Sequence, residues 1–254
     1  MGTPRKNQRR LFRLAGTAMR DFRMIADGDR LLVGLSGGKD SWTLLTVLHE
    51  MRRKAPVEYD LAALHIHPDT AESDIAPLAD HCRSMDIPFT SLDVETDRII
   101  REHKTPGGSA CSFCARLRRG AIYRYARDHG FTTVALGHHR EDVIETLLLN
   151  QFFAGVTKAM APCRSTDSTP RITVIRPLVY VPETVIADFC AQRQLPVHAP
   201  SCPYLAEEEG ERQRVKKWLG ELEAHIPDVK SNLLHALRHV EPGHLLDRAL
   251  RERS

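Results

Sequence analysis

The sequence predicts an α/β protein built on a doubly wound parallel sheet. Three observations carry this: short apolar runs that read as buried strands, helical periodicity between them, and a glycine-rich turn, Ser36-Gly37-Gly38-Lys39-Asp40-Ser41, directly after the first run. Strands alternating with helices imply βαβ units, and right-handed crossovers put helices on both faces of the sheet. With 254 residues the chain can bury one sizeable core.

The elements follow in order. Arg9–Ile25 spaces Leu11, Phe12, Leu14, Ala15, Ala18, Met19, Phe22 and Ile25 at helical intervals with arginines between them, an amphipathic helix. Leu31–Leu35 is a buried strand, and Trp42–Arg52 resumes helical periodicity. Leu61–Ile66 is a strand, Ala71–Met85 a helix ended near Pro88, and Phe89–Val94 a third strand. From Glu95 to Ser112 the chain reads as irregular, with Pro106-Gly107-Gly108 as a breaker. Ala115–Asp128 is a basic helix stopped at Gly130, Thr132–Leu136 a fourth strand and Glu141–Phe153 a helix. Cys163 falls in a loop. Ile172–Arg176 is a fifth strand and Glu183–Arg193 a helix after Pro182. Beyond Pro196 the pattern changes to helical stretches, Arg212–His225 and Ser231–Val240. Three regions are expected: a basic amphipathic helix over 1–29, a nucleotide-binding domain over 30–195, and a helical extension over 196–254.

Composition excludes several classes. Hydrophobic residues are 42% and charged residues 27%, as in ordinary globular proteins. No apolar run reaches the roughly 18 residues of a membrane span, and the basic start lacks the apolar stretch of a secretory leader. The expectation is a cytoplasmic protein without membrane partners. Net charge is only +3, but it is unevenly distributed. Arg9, Arg10 and Arg13 lie in one basic cluster and Arg116, Arg118 and Arg119 in another, a pattern suited to RNA phosphates.

A strand, a glycine-rich turn and a helix form the general arrangement for phosphate binding. Glycines let the backbone approach the anion, and the helix N-terminus directs N–H groups at it. Lys39 adds a charge; Ser36 and Ser41 add hydroxyls. The loop is not a Walker A motif, because Asp40 follows Lys39 and Val33 stands at the first glycine position. Ser36–Ser41 instead resembles the pyrophosphate loop (PP-loop) of the N-type ATP pyrophosphatases, which split ATP between its α and β phosphates. Asp40 could then hold Mg²⁺ against the pyrophosphate. Two further strand ends gather at the same edge, where ligands of open α/β sheets bind. His65 and His67 close the second strand. Gly137-His138-His139-Arg140-Glu141-Asp142 closes the fourth, and its Gly137, His138 and Asp142 match the family's G-H-x-x-x-D stretch, which reaches the ATP phosphates and metal. The resemblance puts the second-strand end, with His65, beside the adenine.

Six cysteines occur, and in a cytosolic chain they are not expected to form a disulfide framework. Cys82 and Cys190 fall within helical patterns and read as small core residues. Cys111-Ser112-Phe113-Cys114 spaces two thiolates for a shared metal, and Cys202, in a Pro-flanked loop, is the best third candidate. No second C-x-x-C exists, which disfavours a zinc finger. Three thiolates suit a [4Fe–4S] cluster with one iron lacking a protein ligand, while a redox dithiol at Cys111 and Cys114 stays open as an alternative.

Longer stretches narrow the resemblance. Cys111–Gly120, Ala135–Asp142, Val174-Ile175-Arg176-Pro177-Leu178 and Val240–Asp247 are similar to the tRNA 2-thiocytidine synthetases. Membership implies ATP-dependent replacement of the C2 oxygen of cytidine 32 in tRNA by sulfur, and a [4Fe–4S] cluster held by Cys111, Cys114 and, by mapping, Cys202. It also implies Asp40 and Asp142 near Mg²⁺, with Lys39 on the phosphates, a sulfur donor such as a cysteine desulfurase, and a homodimer. Glu141 departs from the family's usual Asp, and one cysteine stands near Cys202 where the family often has two. The competing readings are an ATP-dependent uridine 2-thiolase and a non-catalytic RNA-binding nucleotide or iron–sulfur sensor.

Overall fold

A computed structural model describes residues 4–68, 74–95, 99, 110–167, 170–198 and 210–251. The chain divides into two compact units, Met1–Arg140 with Ala161–Glu208, and Glu141–Met160 with Glu209–Ser254.

The first unit holds a six-stranded sheet. Its strands are β1 (Asp29–Gly34), β2 (Tyr59–Pro68), β3 (Phe89–Val94), β4 (Thr133–Ala135), β5 (Cys163–Ser165) and β6 (Thr173–Ile175), in the order β3-β2-β1-β4-β6-β5. All neighbours are parallel except β5, which runs antiparallel to β6. The expected all-parallel sheet therefore carries one antiparallel edge, and Cys163, expected in a loop, lies in that edge strand. The chain goes from β1 outward to β2 and β3, then returns to β4 on the other side. That reversal makes a topological switch point between β1 and β4, whose carboxyl ends open a crevice for ligands.

The helices of this unit are α1 (Pro4–Asp21), α2 (Lys39–Arg52), α3 (Ala76–Ser84), α4 (Ala110–Asp128) and, after β6, α6 (Glu183–Gln192). Between β4 and β5, α5 (Arg140–Ala154) starts in this unit and carries the chain into the second. Strand side chains alternate, yet both sets are buried: Leu32, Leu64, Val134 and Val174 on one face, Leu31, Val33, Ala63 and Ile175 on the other. Burial on both faces explains the continuous apolar runs seen in the sequence. Ile122 and Ala126 of α4 join the first set in one cluster. In α1, Leu11, Ala15 and Ala18 are fully buried, and Phe12 meets Phe189 of α6 edge-on at 6.1 Å. Cys82 and Cys190 are buried, as core cysteines should be, and burial pushes the Cys82 thiol up to about 11.

α4 departs from expectation at its start. It begins at Ala110, so Cys111 and Cys114 fall within its first two turns, ahead of the expected start at Ala115.

The second unit packs Ile144 and Leu148 of α5 against Val215 and Leu219 of α7 (Glu211–His225), with Leu233 and Leu234 of α8 (Val229–Ala236) alongside. A 3₁₀ turn, Pro242–His244, and α9 (Arg248–Arg251) end the described chain. Among the described residues no helix is long and apolar enough to cross a membrane.

Candidate active site

The glycine loop joins β1 to α2 at the switch point. Leu35 N–H donates to Leu64 O (2.9 Å), which prolongs the β1–β2 pairing to the edge of the loop. Gly37 then turns back with φ +82°, a left-handed conformation that favours glycine, and its carbonyl accepts from His198 N–H (3.0 Å). Gly38 caps α2 with extended backbone and no side-chain cap, so the first-turn N–H groups remain available to an anion. Three hydrogen bonds hold the turn. Ser36 Oγ donates to Ser41 Oγ (3.2 Å), Ser41 Oγ to Gly38 O (2.9 Å), and Gly38 N–H to Ser36 Oγ (3.4 Å).

Lys39 and Asp40 stand at the start of α2. Lys39 Nζ lies 3.1 Å from Asp40 and 3.0 Å from Glu183 Oε1 at the start of α6. Burial works against the ammonium, but the hydrogen bond to Glu183 and the charge of Asp40 outweigh it, and the Lys39 pKa is raised. His139 Nε2 lies 3.8 Å from Asp40 Oδ1. That buried oxygen accepts no well-aligned hydrogen bond among the described residues. Lys39 Nζ lies 3.1 Å from both Asp40 oxygens, so a hard cation on this carboxylate would share it with the lysine. Among the described residues no three His, Cys, Asp or Glu side chains form a protein-only metal cage.

The loop after β4 presses directly on this turn. A Cβ added at Gly137 would meet the Asp40 carbonyl carbon and oxygen and the Ser41 nitrogen, each at 3.0 Å. Gly137 is therefore required for backbone-to-backbone approach, which is how the fourth strand end supports the phosphate loop. His138 Nδ1 accepts from Arg176 Nε (3.3 Å) at the end of β6. Asp142 belongs to the second unit, where its Oδ1 lies 3.5 Å from Arg212 Nη1. Arg212 also donates to Thr146 Oγ1 (3.2 Å) and lies 3.9 Å from the buried Glu145.

His65 is buried on β2 with Nδ1 2.8 Å from Leu35 O. A carbonyl only accepts, so Nδ1 carries the proton and Nε2 is left as an acceptor. Nε2 has no partner among the described residues. Burial holds the ring's pKa below its ordinary value, which keeps it neutral.

Cys114 is half-buried at the start of the second turn of α4, three residues after Cys111. Two positions three apart share a helix face. The Cys111 side chain and Cys202 lie outside the described residues. Of the arginines proposed for RNA, Arg9, Arg10, Arg13, Arg116 and Arg119 are exposed and Arg118 is half-buried. Three pairings at the site are not legible in the sequence, Glu183 with Lys39, Arg176 with His138 and His139 with Asp40, nor is that of Arg212 with Asp142 within the second unit. Only His139 carries a signal, as the neighbour of His138.

The family model of the PP-loop domain matches residues 7–199. A tRNA-cytidine(32) 2-sulfurtransferase of Pelobacter propionicus is 47% identical over 242 residues, covering 95% of this chain and 90% of that protein. One of Geobacter metallireducens is 47% identical over 249 residues, covering 96% and 95%. The chain belongs to the tRNA-cytidine(32) 2-sulfurtransferase family of PP-loop proteins. Solved structures agree in fold. The U34-tRNA thiolase NcsA from Methanococcus maripaludis, with its [4Fe-4S] cluster, superposes with a TM-score of 0.75 at 22% identity, covering 96% of this chain and 84% of that one. NMN synthetase from Francisella tularensis gives 0.53 at 17% identity, covering 98% and 100%. At such identities the likeness concerns the fold alone. This family member thus has its PP-loop at the β1–α2 turn, where the switch point lies.

Proposed function

We propose that the protein is an ATP-dependent tRNA thiolase that converts cytidine 32 of tRNA to 2-thiocytidine, releasing AMP and diphosphate. The observation that carries this is the Lys39–Asp40 pair inside an uncapped glycine turn, in a chain 47% identical to tRNA-cytidine(32) 2-sulfurtransferases. A thiolation of this kind needs two things: an oxygen made into a leaving group, and a sulfur nucleophile to displace it.

In the first half, ATP occupies the turn, with its phosphates on the N–H groups after Gly38 and on Ser36 and Ser41. His65 Nε2, an acceptor with no described partner, suits the exocyclic amine of adenine. The C2 carbonyl oxygen of the cytidine attacks the α-phosphorus, and the bond to the β-phosphate oxygen breaks as diphosphate leaves. Negative charge grows on the departing phosphates, and Lys39 stands where it can meet that charge. Asp40 would hold Mg²⁺, which would supply further positive charge to the phosphates; Asp142, the second carboxylate that the resemblance assigns to the metal, belongs to the second unit.

In the second half, sulfide adds at C2 of the adenylylated base and the C–O bond breaks, releasing AMP with the former carbonyl oxygen. No electrons are exchanged if sulfur arrives as sulfide; a persulfide handed over by a cysteine desulfurase would need a two-electron reductant, such as a pair of thiols oxidised to a disulfide, to release its outer sulfur at that level. Cys111, Cys114 and Cys202 would hold a [4Fe–4S] cluster, which when bound supplies a metal position open to a sulfur ligand. The exposed arginines Arg9, Arg10, Arg13, Arg116 and Arg119, with Arg118, would hold tRNA phosphates, contacts that position the substrate without reading its sequence. A sulfur donor such as a cysteine desulfurase, a homodimeric state and a cytoplasmic location complete the reading.

The test is nucleoside analysis of tRNA from a strain lacking the gene. Loss of 2-thiocytidine with 2-thiouridine retained is expected. Unchanged 2-thiocytidine would sink the proposal, and loss of 2-thiouridine in its place would assign the protein to the uridine thiolases.

A further inference from the structure

Among the described residues, five guanidinium groups line a cavity of about 620 Å³ on the first unit whose lining includes no residue of the glycine loop. Arg119, Arg124 and Arg127 come from α4, Arg164 from β5, and Arg176 from the end of β6, with Tyr123 among them. Residues 119, 123 and 127 recur every four along the helix and so share one face, with 120 and 124 beside them. At 1.5 Å per residue, Arg119 and Arg127 span about 12 Å of helix axis, enough to follow more than one phosphate.

The charges are poorly balanced. Asp167 is the one carboxylate among the described lining residues; it is 97% exposed and lies 3.5 Å from Arg164. Asp128, outside the lining, lies 3.5 Å from Arg127. Arg176 has neutral hydrogen-bond partners, Ala161 O (2.6 Å) and His138 Nδ1 (3.3 Å). Burial first, and then the like charges of Arg119 and Arg164, push the Arg176 guanidinium below its ordinary pKa despite Tyr123 and Cys163 nearby. An arginine does not relieve this by losing its proton. A bound anion relieves it, and arginine is the side chain suited to phosphate oxygens.

We propose that this recess between α4 and the β5–β6 edge receives the phosphodiester backbone of the RNA substrate. The proposal rests on the thiolase reading and says where the RNA strand runs. Two observations favour a strand over a free nucleotide. The recess is far larger than one phosphate, and its arginines are spread along the helix rather than converging on one point. Its location also fits delivery to the site. Arg176 touches His138, which follows Gly137, and Gly137 packs on Asp40. α4 itself carries Cys114 about 7.5 Å along its axis from Arg119. Tyr123 offers a ring for a base to stack on.

Arg124 and Arg164 are exposed, so their replacement should spare the fold. The experiment measures binding of an unmodified tRNA transcript by fluorescence anisotropy over a salt series, for wild type, Arg124→Glu, Arg164→Glu and the double variant. Affinity for a non-hydrolysable ATP analogue is measured in parallel. We expect each single variant to weaken tRNA binding several-fold and the double at least about tenfold. The slope of log K against log salt should fall by about 0.9 for each phosphate that the variant no longer neutralises. Analogue affinity should stay at the wild-type value, and Arg124→Lys should retain most tRNA binding. Normal tRNA affinity and slope in a double variant that still binds the analogue would overturn the proposal. A loss of analogue affinity with tRNA binding intact would also overturn it, by making the recess a free-nucleotide site. Wild type separates the two claims. If it thiolates tRNA while the variants bind tRNA normally, the recess fails and the reading stands; if wild type neither binds nor thiolates tRNA, both fail.

Discussion

Lys39 reaches across the sheet end to Glu183, 3.0 Å away, while it also pairs with its neighbour Asp40. The lysine proposed to meet phosphate is thus held in place by a carboxylate from a helix far along the chain. Phosphate binding must exchange part of that pairing for interaction with substrate.

Lys39→Ala should lower ATP-dependent diphosphate release by about 100-fold or more, the usual cost of one preorganised group facing developing charge. Glu183→Gln should cost roughly tenfold or less and act mainly on KM for ATP, because Glu183 positions the ammonium without meeting the phosphates. The pKa gives a second readout. Glu183 helps to raise the Lys39 pKa, so its removal should move the alkaline limb of the rate profile to lower pH. An alkaline limb that does not move would show that Glu183 has no hold on the lysine.

At Gly137 an added methyl would sit 3.0 Å from three backbone atoms of Asp40 and Ser41. Backbone cannot swing aside as a side chain can. Gly137→Ala should therefore destabilise by about 1–3 kcal/mol in urea denaturation and depress ATP binding with it. Gly220, inside α7, has nothing within 4 Å of its Cβ direction. Gly220→Ala should be stabilising by roughly 1 kcal/mol from helix propensity. Equal effects at the two positions would refute the packing argument.

His65 has a folded-state pKa depressed by burial. Its stabilising contribution is complete above the unfolded value of about 6.5 and is lost as pH falls toward the folded value. Thermal midpoints should decline as pH drops below about 6.5, and the decline should be shallower in His65→Asn. It should not vanish, because burial also depresses His49 and His81. An identical slope in variant and wild type would exclude His65 as a contributor.

Cys111→Ala and Cys114→Ala should each abolish the broad visible absorption of protein purified without oxygen, if the pair holds a [4Fe–4S] cluster. Cys82→Ala, at a buried core position, should keep the band and lose stability instead. Absorption persisting at full strength in Cys111→Ala would remove that residue from the ligand set.

Much of this protein is legible in short windows of its sequence. β3 runs over Phe89–Val94, the bounds expected after the break at Pro88, and the phosphate turn is where Ser36-Gly37-Gly38-Lys39 follows an apolar strand. Those features depend on a few consecutive dihedrals and on side-chain period, which neighbouring residues determine. Short windows mislead where the signal is brief or ambiguous. β5, Cys163–Ser165, has three residues and no room for alternation to show. α4 starts before the expected Ala115, because the breaker at Pro106-Gly107-Gly108 hides how soon helix resumes at Ala110.

The phosphate turn itself shows where the division falls. Residue types at Ser36–Ser41 are enough to indicate a phosphate-binding loop and, with Asp40 after the lysine, its kind. Nothing in that stretch tells that Glu183 holds Lys39, that Gly137 presses on Asp40, or that Arg176 joins Arg119, Arg124, Arg127 and Arg164 around one cavity. Those pairings follow from the strand order β3-β2-β1-β4-β6-β5, which brings distant segments to one sheet end and one sheet edge. Local sequence encodes which way each residue turns; only the packed sheet determines which residues then meet.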